Sequence, residues 1–144
     1  MWREINLDLT AHATFAPSAS AAAINDAETV LSISFPDELR SILQESNGVT
    51  GKYELGLVWN LDRMQRDNLQ FRSDSNFRDL YMPFDHLLFF TDAGNGDQFA
   101  FPIQNGKIQR TDVFVWDHES DDRRWVAGSL KQYLRWWLDG TLTL

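Results

Sequence analysis

The stretch that most limits the fold is Leu87-Leu88-Phe89-Phe90-Thr91, apolar at every position before Thr91. A strand with one wet face alternates polar and apolar residues, so a run without alternation predicts a buried, central strand. Asp92-Ala93-Gly94-Asn95-Gly96-Asp97 follows it. Gly and Asn tolerate positive φ at small cost, which predicts a turn here and a hairpin partner over Gln98 to Ile103. Asn105-Gly106 is a second turn signal, and Val113-Phe114-Val115-Trp116-Asp117-His118 reads as a further strand. Earlier, Leu55-Gly56-Leu57-Val58-Trp59 is a short apolar strand. Leu61 to Phe71 fits helix or loop, and the polar stretch Arg72 to Asp79 reads as loop.

Helices flank these strands. Ser18 or Ser20 can cap a helix that enters through Ala21-Ala22-Ala23 and continues with Ile24, Ala27, Glu28 and Leu31 at helical spacing. Pro36 suits a first helical position, and Asp37 with Glu38 puts negative charge at the positive end of the helix dipole. Phe35, Leu39, Ile42 and Leu43 give that helix an apolar stripe, and Asn47-Gly48 stops it. Near the end of the sequence, Ser129 and Gln132 form a capping box. Leu130, Tyr133, Leu134, Trp137 and Leu138 then fall on one face, and Gly140 terminates the helix. Two helices, a meander of strands and a packing helix predict an α+β fold in one domain over residues 1–144. Its mainly antiparallel sheet should have about four to six strands. Residues 1–17 are expected as an irregular N-terminal extension.

With 144 residues, 43% of them hydrophobic and including 10 Phe and 6 Trp, the chain can build a core without staples. It has no Cys, which excludes a disulfide framework, a thiolate metal site and a cysteine nucleophile. Glu4 and Asp8 fall where a secretory leader needs basic and apolar regions, and no apolar run approaches a membrane span, so a soluble, cytoplasmic protein is expected. Net charge is −8, and residues 1–51 hold seven acids against two bases. Nucleic-acid binding rests on Lys and Arg contacts to phosphate, so such a partner is not expected; an acidic surface can instead steer cationic partners.

Catalytic signatures are absent from the sequence. Counted from Asp92 as a calcium loop, positions 3 and 5 are Gly94 and Gly96, position 6 is Asp97 and position 12 is Ile103, so the ligand set fails. Asp117-His118-Glu119 with Asp121 and Asp122 has residue types suited to a metal or a general base. Neighbours on a strand point to opposite faces, so these groups converge only if the strand ends and a loop gathers them; a strand end turning into a solvated acidic loop is the plainer reading. His12, His86 and His118 form no H-E-x-x-H pair, Asp85-His86 is only an adjacent pair, and no Walker, G-x-S-x-G or G-x-G-x-x-G motif occurs. No catalytic residue, cofactor or metal is therefore expected, and a metal-dependent enzyme using Asp92, Asp97, His118 or Glu119 is the remote alternative. Trp116 and Trp136 are expected to complete the core, while Trp125, in the charged stretch Asp121-Asp122-Arg123-Arg124-Trp125, is expected to be exposed.

These motifs in this order resemble the SUKH superfamily, the Smi/Knr-type domains. The resemblance runs through Ile24 to Glu28 and Leu31, Phe35-Pro36-Asp37-Glu38-Leu39, Leu43 and Ser46-Asn47-Gly48. It continues in Leu88 to Asp97, Val115 to Glu119 and Val126 to Leu134, covering about Ala21 to Leu138. Phe35 stands where the family usually has Leu. The resemblance implies helices packed on an antiparallel sheet. In bacteria it implies an immunity protein that neutralises a toxin domain, in fungi a scaffold of cell-wall signalling; neither needs a cofactor. A protein partner bound by a monomer or weak dimer is the resulting expectation. The candidate partner-binding surface is Asp92, Asn95 and Asp97 with Asp117, His118, Glu119, Asp121, Asp122 and Trp125.

Overall fold

The chain folds into fourteen helical and strand elements. The computed structural model covers residues 1–144, with side chains described for all but Asn6, Leu7, Leu9 and Glu54. In order they are α1 (Trp2–Leu9), β1 (Thr14–Phe15), α2 (Ala21–Leu31), α3 (Asp37–Glu45), β2 (Val49–Thr50), a 3-10 turn (Lys52–Glu54), β3 (Gly56–Val58), α4 (Leu61–Ser73), α5 (Ser75–Leu80), β4 (Leu87–Asp92), β5 (Gln98–Pro102), β6 (Val113–Trp116), β7 (Arg123–Ala127) and α6 (Leu130–Asp139). The fold is α+β, with every strand pairing antiparallel in sheets ordered β1-β2-β3 and β4-β5-β6-β7.

The expected helices are present, and α2 and α6 carry the side-chain caps expected of them, whereas α3 has no side-chain cap and its last turn runs into an extended Ser46. The Ser20 side chain accepts the Ala23 amide at the start of α2. Pro36 sits one position earlier than expected, at the cap of α3. In α6, Ser129 accepts the Gln132 N–H, and the Gln132 side chain reaches back to the Gly128 amide. A second donor of that helix end, the Leu130 N–H, is taken by Glu38 of α3 at 3.1 Å, so the cap also joins two helices.

Two layers of side chains cover the four-stranded sheet. On one face Leu88, Phe90, Phe99, Phe101, Val113 and Val115 meet the apolar stripes of α2, α3 and α6. On the other, Leu87, Phe89, Ala100 and Trp116 meet Trp59, Phe84 and the partly buried Phe71, Phe77 and Tyr81. This second layer is nearly all aromatic, with Phe84 and Trp116 edge to face at 5.2 Å and Tyr81 and Trp116 at 5.1 Å. Such offset geometries match the positive edge of one ring to the negative face of the next.

Several expectations need correction. Leu87–Thr91 is buried but not central: β4 is an edge of its sheet. Its outer backbone groups are met from outside the sheet, because Trp59 donates its N–H to the Phe90 carbonyl and the Asn68 amide bonds both the N–H and the C=O of Phe89 at 2.8 Å. Leu61 to Phe71 is helix, and the supposed loop from Arg72 to Asp79 contains the end of α4 and most of α5. Asn60 caps α4 by accepting the Arg63 amide, and Asp74 caps α5 by accepting that of Asn76. The first seventeen residues are not an irregular extension; they carry α1 and β1, and Trp2 is buried in the core. The charged stretch Asp121 to Trp125 is not all loop, since Arg123 opens β7.

Candidate functional site

The β4–β5 turn is built by its own side chains. Asp92 accepts the Gly94 amide at 3.1 Å and Asn95 accepts the Asp97 amide at 3.0 Å, while Gly94 and Gly96 take φ of 88° and 103°. The Ala93 amide bonds the Asp97 carbonyl, which closes the turn. The other Asp92 oxygen accepts Trp59 Nε1 and pairs with Arg63, each at 3.0 Å. Asp92 therefore ties the turn to β3 and α4.

Strand β6 stops at Trp116, which frees the next residues to converge. Asp117 accepts the amides of Glu119 and Ser120, and these bonds hold its carboxyl below the usual range. His118 crosses to the β4–β5 turn. Its backbone N–H donates to Asp97 Oδ1 at 3.1 Å, and its ring Nδ1 lies 2.6 Å from the same oxygen. The ring contact with Asp97 raises the imidazole above its ordinary value, against the effect of partial burial. Gly96 makes room for this: a Cβ there would lie 2.8–2.9 Å from the ring. The Tyr81 hydroxyl donates to the His118 carbonyl at 2.9 Å.

Asp121 closes the same loop, with a φ of 63°. Burial raises its carboxyl, but bonds from the Met82 amide, Arg123 and Trp116 Nε1 outweigh that and hold it low. Arg123 also donates to the Met82 and Pro83 carbonyls and lies 2.7 Å from His86 Nε2. That places a lone pair of His86 toward a fixed cation, and burial together with Arg123 lowers the His86 pKa.

Of the nine residues expected at one surface, Asp97, Asp117 and His118 meet where the two loops join, with Asn95 bonded to Asp97 and Glu119 3.9 Å from His118, while Asp121 and Asp122 lie further along the β6–β7 loop; Asn95, Glu119 and Asp122 are exposed. Asp97 is buried and Asp121 half-buried, so both shape the surface from beneath. Trp125 is 50% exposed but belongs elsewhere: it bonds Asp112 and packs edge-on against Trp136. Trp116 is buried, as expected. Tyr81, Met82, Gly96 and Arg123 are structural members of the site that sequence reasoning missed. Only Gly96 carried a local signal, its place in the turn. Asp97, Asp117 and His118 each offer a ligand atom within 4.8 Å of the others, a grouping that could hold a cation. No helix is long and apolar enough to cross a membrane among the described residues.

The fold sets helices on antiparallel sheets and joins two acidic loops through Asp97 and His118. The family model described as SMI1-KNR4 cell-wall, SUKH_6, matches residues 21–134, most of the chain. The chain belongs to this SUKH family. No curated protein matches it.

Proposed function

We propose that this chain is a non-catalytic immunity protein that binds and neutralises the catalytic domain of a cognate bacterial toxin. The observation that carries the reading is the joint between Asp97 and His118. It fuses two acidic loops, distant in sequence, into one held surface with Glu119, Asp122 and Asn95 outermost. A pre-formed surface loses little conformational freedom on docking. Its negative charge, on a chain of net charge −8, suits a toxin with a basic cleft, a nuclease among them. The test is co-expression with the toxin domain encoded immediately upstream in the source genome, scored by survival and co-purification. Rescue with a stable complex is expected, with association slowing as salt is raised. Unchanged killing with no complex would sink the reading.

The cell-wall description of the family favours a second reading, a scaffolding adaptor of the same fold. An unbiased pull-down that returns housekeeping proteins and no toxin domain would select it.

A further inference from the structure

We propose that Asp97, Asp117 and His118 form a binding site for a divalent transition-metal ion that staples the β4–β5 turn to the β6–β7 loop. This goes beyond the protein-binding reading and stands independently of it. The donor set is one imidazole and two carboxylates, delivered by two segments that the β5–β6 pairing fixes side by side, with Gln98 opposite Trp116. Ligand atoms about 2.0–2.2 Å from one ion lie at most ~4.4 Å apart. The three here lie within 4.8 Å of one another, so side-chain rotations of under about 1 Å bring them onto a common centre. The shortest separation, His118 Nδ1 to Asp97 Oδ1 at 2.6 Å, opens slightly as the ion replaces the proton between them. The imidazole coordinates neutral, with its proton on the other ring nitrogen.

The frame around these ligands is already set. Asp97 is 6% exposed, and among the described residues its second oxygen meets only the Asn95 amide, at 3.5 Å. Asp117 has one oxygen fixed by the Glu119 and Ser120 amides. Gly96 lies against the His118 ring, and Tyr81 holds the His118 carbonyl, so both the plane and the backbone of the histidine are constrained. Glu119 Oε1 lies 3.9 Å from His118 Nε2 on the solvent side. Outer partners of this kind orient ligands and tune their basicity. Imidazole suits zinc, and carboxylates suit manganese, whereas calcium and magnesium prefer all-oxygen shells. The mixed set therefore takes Zn²⁺ or Mn²⁺ and leaves its remaining positions to water.

The full chain, stripped with chelator, should be titrated with Zn²⁺, Mn²⁺, Ca²⁺ and Mg²⁺ by calorimetry and thermal unfolding. Saturating Zn²⁺ or Mn²⁺ should bind at one equivalent and raise Tm by about 5 °C or more, because a ligand of the folded state alone shifts the folding equilibrium. Calcium and magnesium should not. Asp117→Asn and His118→Gln remove ligands that are not core side chains, and each should fold yet lose the response. Should either variant fail to fold, substoichiometric Mn²⁺ on the native chain decides the matter by broadening the His118 ring resonances while sparing His12 and His86. No Tm change and no selective broadening in the native chain would overturn the site. So would a response that survives in both variants, which would mean an adventitious ion only.

Discussion

The Asn68 side chain does the work of a neighbouring strand. It lies buried on α4, accepting the Phe89 N–H, donating to the Phe89 carbonyl and also bonding the Met64 carbonyl. Removing it leaves two backbone groups of β4 without partners in a dry place, where each costs about 1–3 kcal/mol. Asn68→Ala should therefore lower stability by about 3 kcal/mol, read as a fall in the urea midpoint at unchanged slope. Asn68→Asp should fare no better, since it restores the acceptor but not the donor. Gly96 poses a different constraint. Its φ of 103° and the His118 ring against it make Gly96→Ala strained twice over, by about 1–3 kcal/mol from the backbone alone. The His118 ring signals should shift in that variant while those of His12 stay put. The glycine was visible in the sequence as a turn residue, but the need to clear an imidazole was not, because that ring arrives from another loop.

Elements differ in how openly their sequences declare them. Helix α6 carries its apolar face, its Ser129 cap and its Gly140 stop within a dozen or so residues, and all three are found in place. Helix α4 has apolar residues at Leu61, Met64 and Phe71, but the position that would complete the stripe is Asn68, and a polar residue there hides the helix. Strand β7 opens with two arginines and shows little alternation, so it reads as loop. Arg123 is nonetheless almost fully covered, held by the Met82 and Pro83 carbonyls and by Asp121. Its planar fork reaches the Met82 and Pro83 carbonyls, Asp121 and His86 from two fixed nitrogens, whereas a lysine has one nitrogen with three donors and cannot span all four. Arg123→Lys should therefore destabilise by about 2 kcal/mol, measured by chemical denaturation. Helix α1 depends on a remote group, since both Glu45 carboxylate oxygens receive the Trp2 amide at 3.0 and 3.1 Å. Burial alone would raise the Glu45 carboxyl, but these amide bonds and the nearby ammonium of Met1 outweigh it and lower the folded value. A lowered folded pKa means stability fully present above the unfolded value of about 4.3 and lost as pH falls through the folded one. Protection of the amides at the start of α1, taken relative to their intrinsic exchange rates, should fall as pH drops below that unfolded value in the native chain. Glu45→Gln should exchange fast throughout and lose about 1 kcal/mol.

At the scale of the whole molecule, one sheet serves two cores, the mixed aliphatic and aromatic layer under α2, α3 and α6 and the mostly aromatic layer under α4 and α5. Because alternate residues of the same strands feed both, neither layer can empty without disturbing the other. Leu39→Ala in the first layer should cost about 2–5 kcal/mol, and Trp116→Ala in the second about 3–5 kcal/mol. Each should lower Tm in a single cooperative transition, and two resolved transitions in calorimetry would show the layers to be separable. The sequence by itself determined the α+β class, the β4–β5 hairpin, the caps of α2 and α6, the stripes of α2, α3 and α6, and the acidic loops that make the candidate site. These are local properties, fixed by periodicity, turn chemistry and capping within a few residues. The tertiary structure alone decided that β4 is an edge, that α4 and α5 are helices covering an aromatic layer, and that Asp97 meets His118 while Trp125 turns away. Each of those outcomes rests on a polar or aromatic side chain finding a partner far along the chain, and the energy of such a contact has no local signature to read.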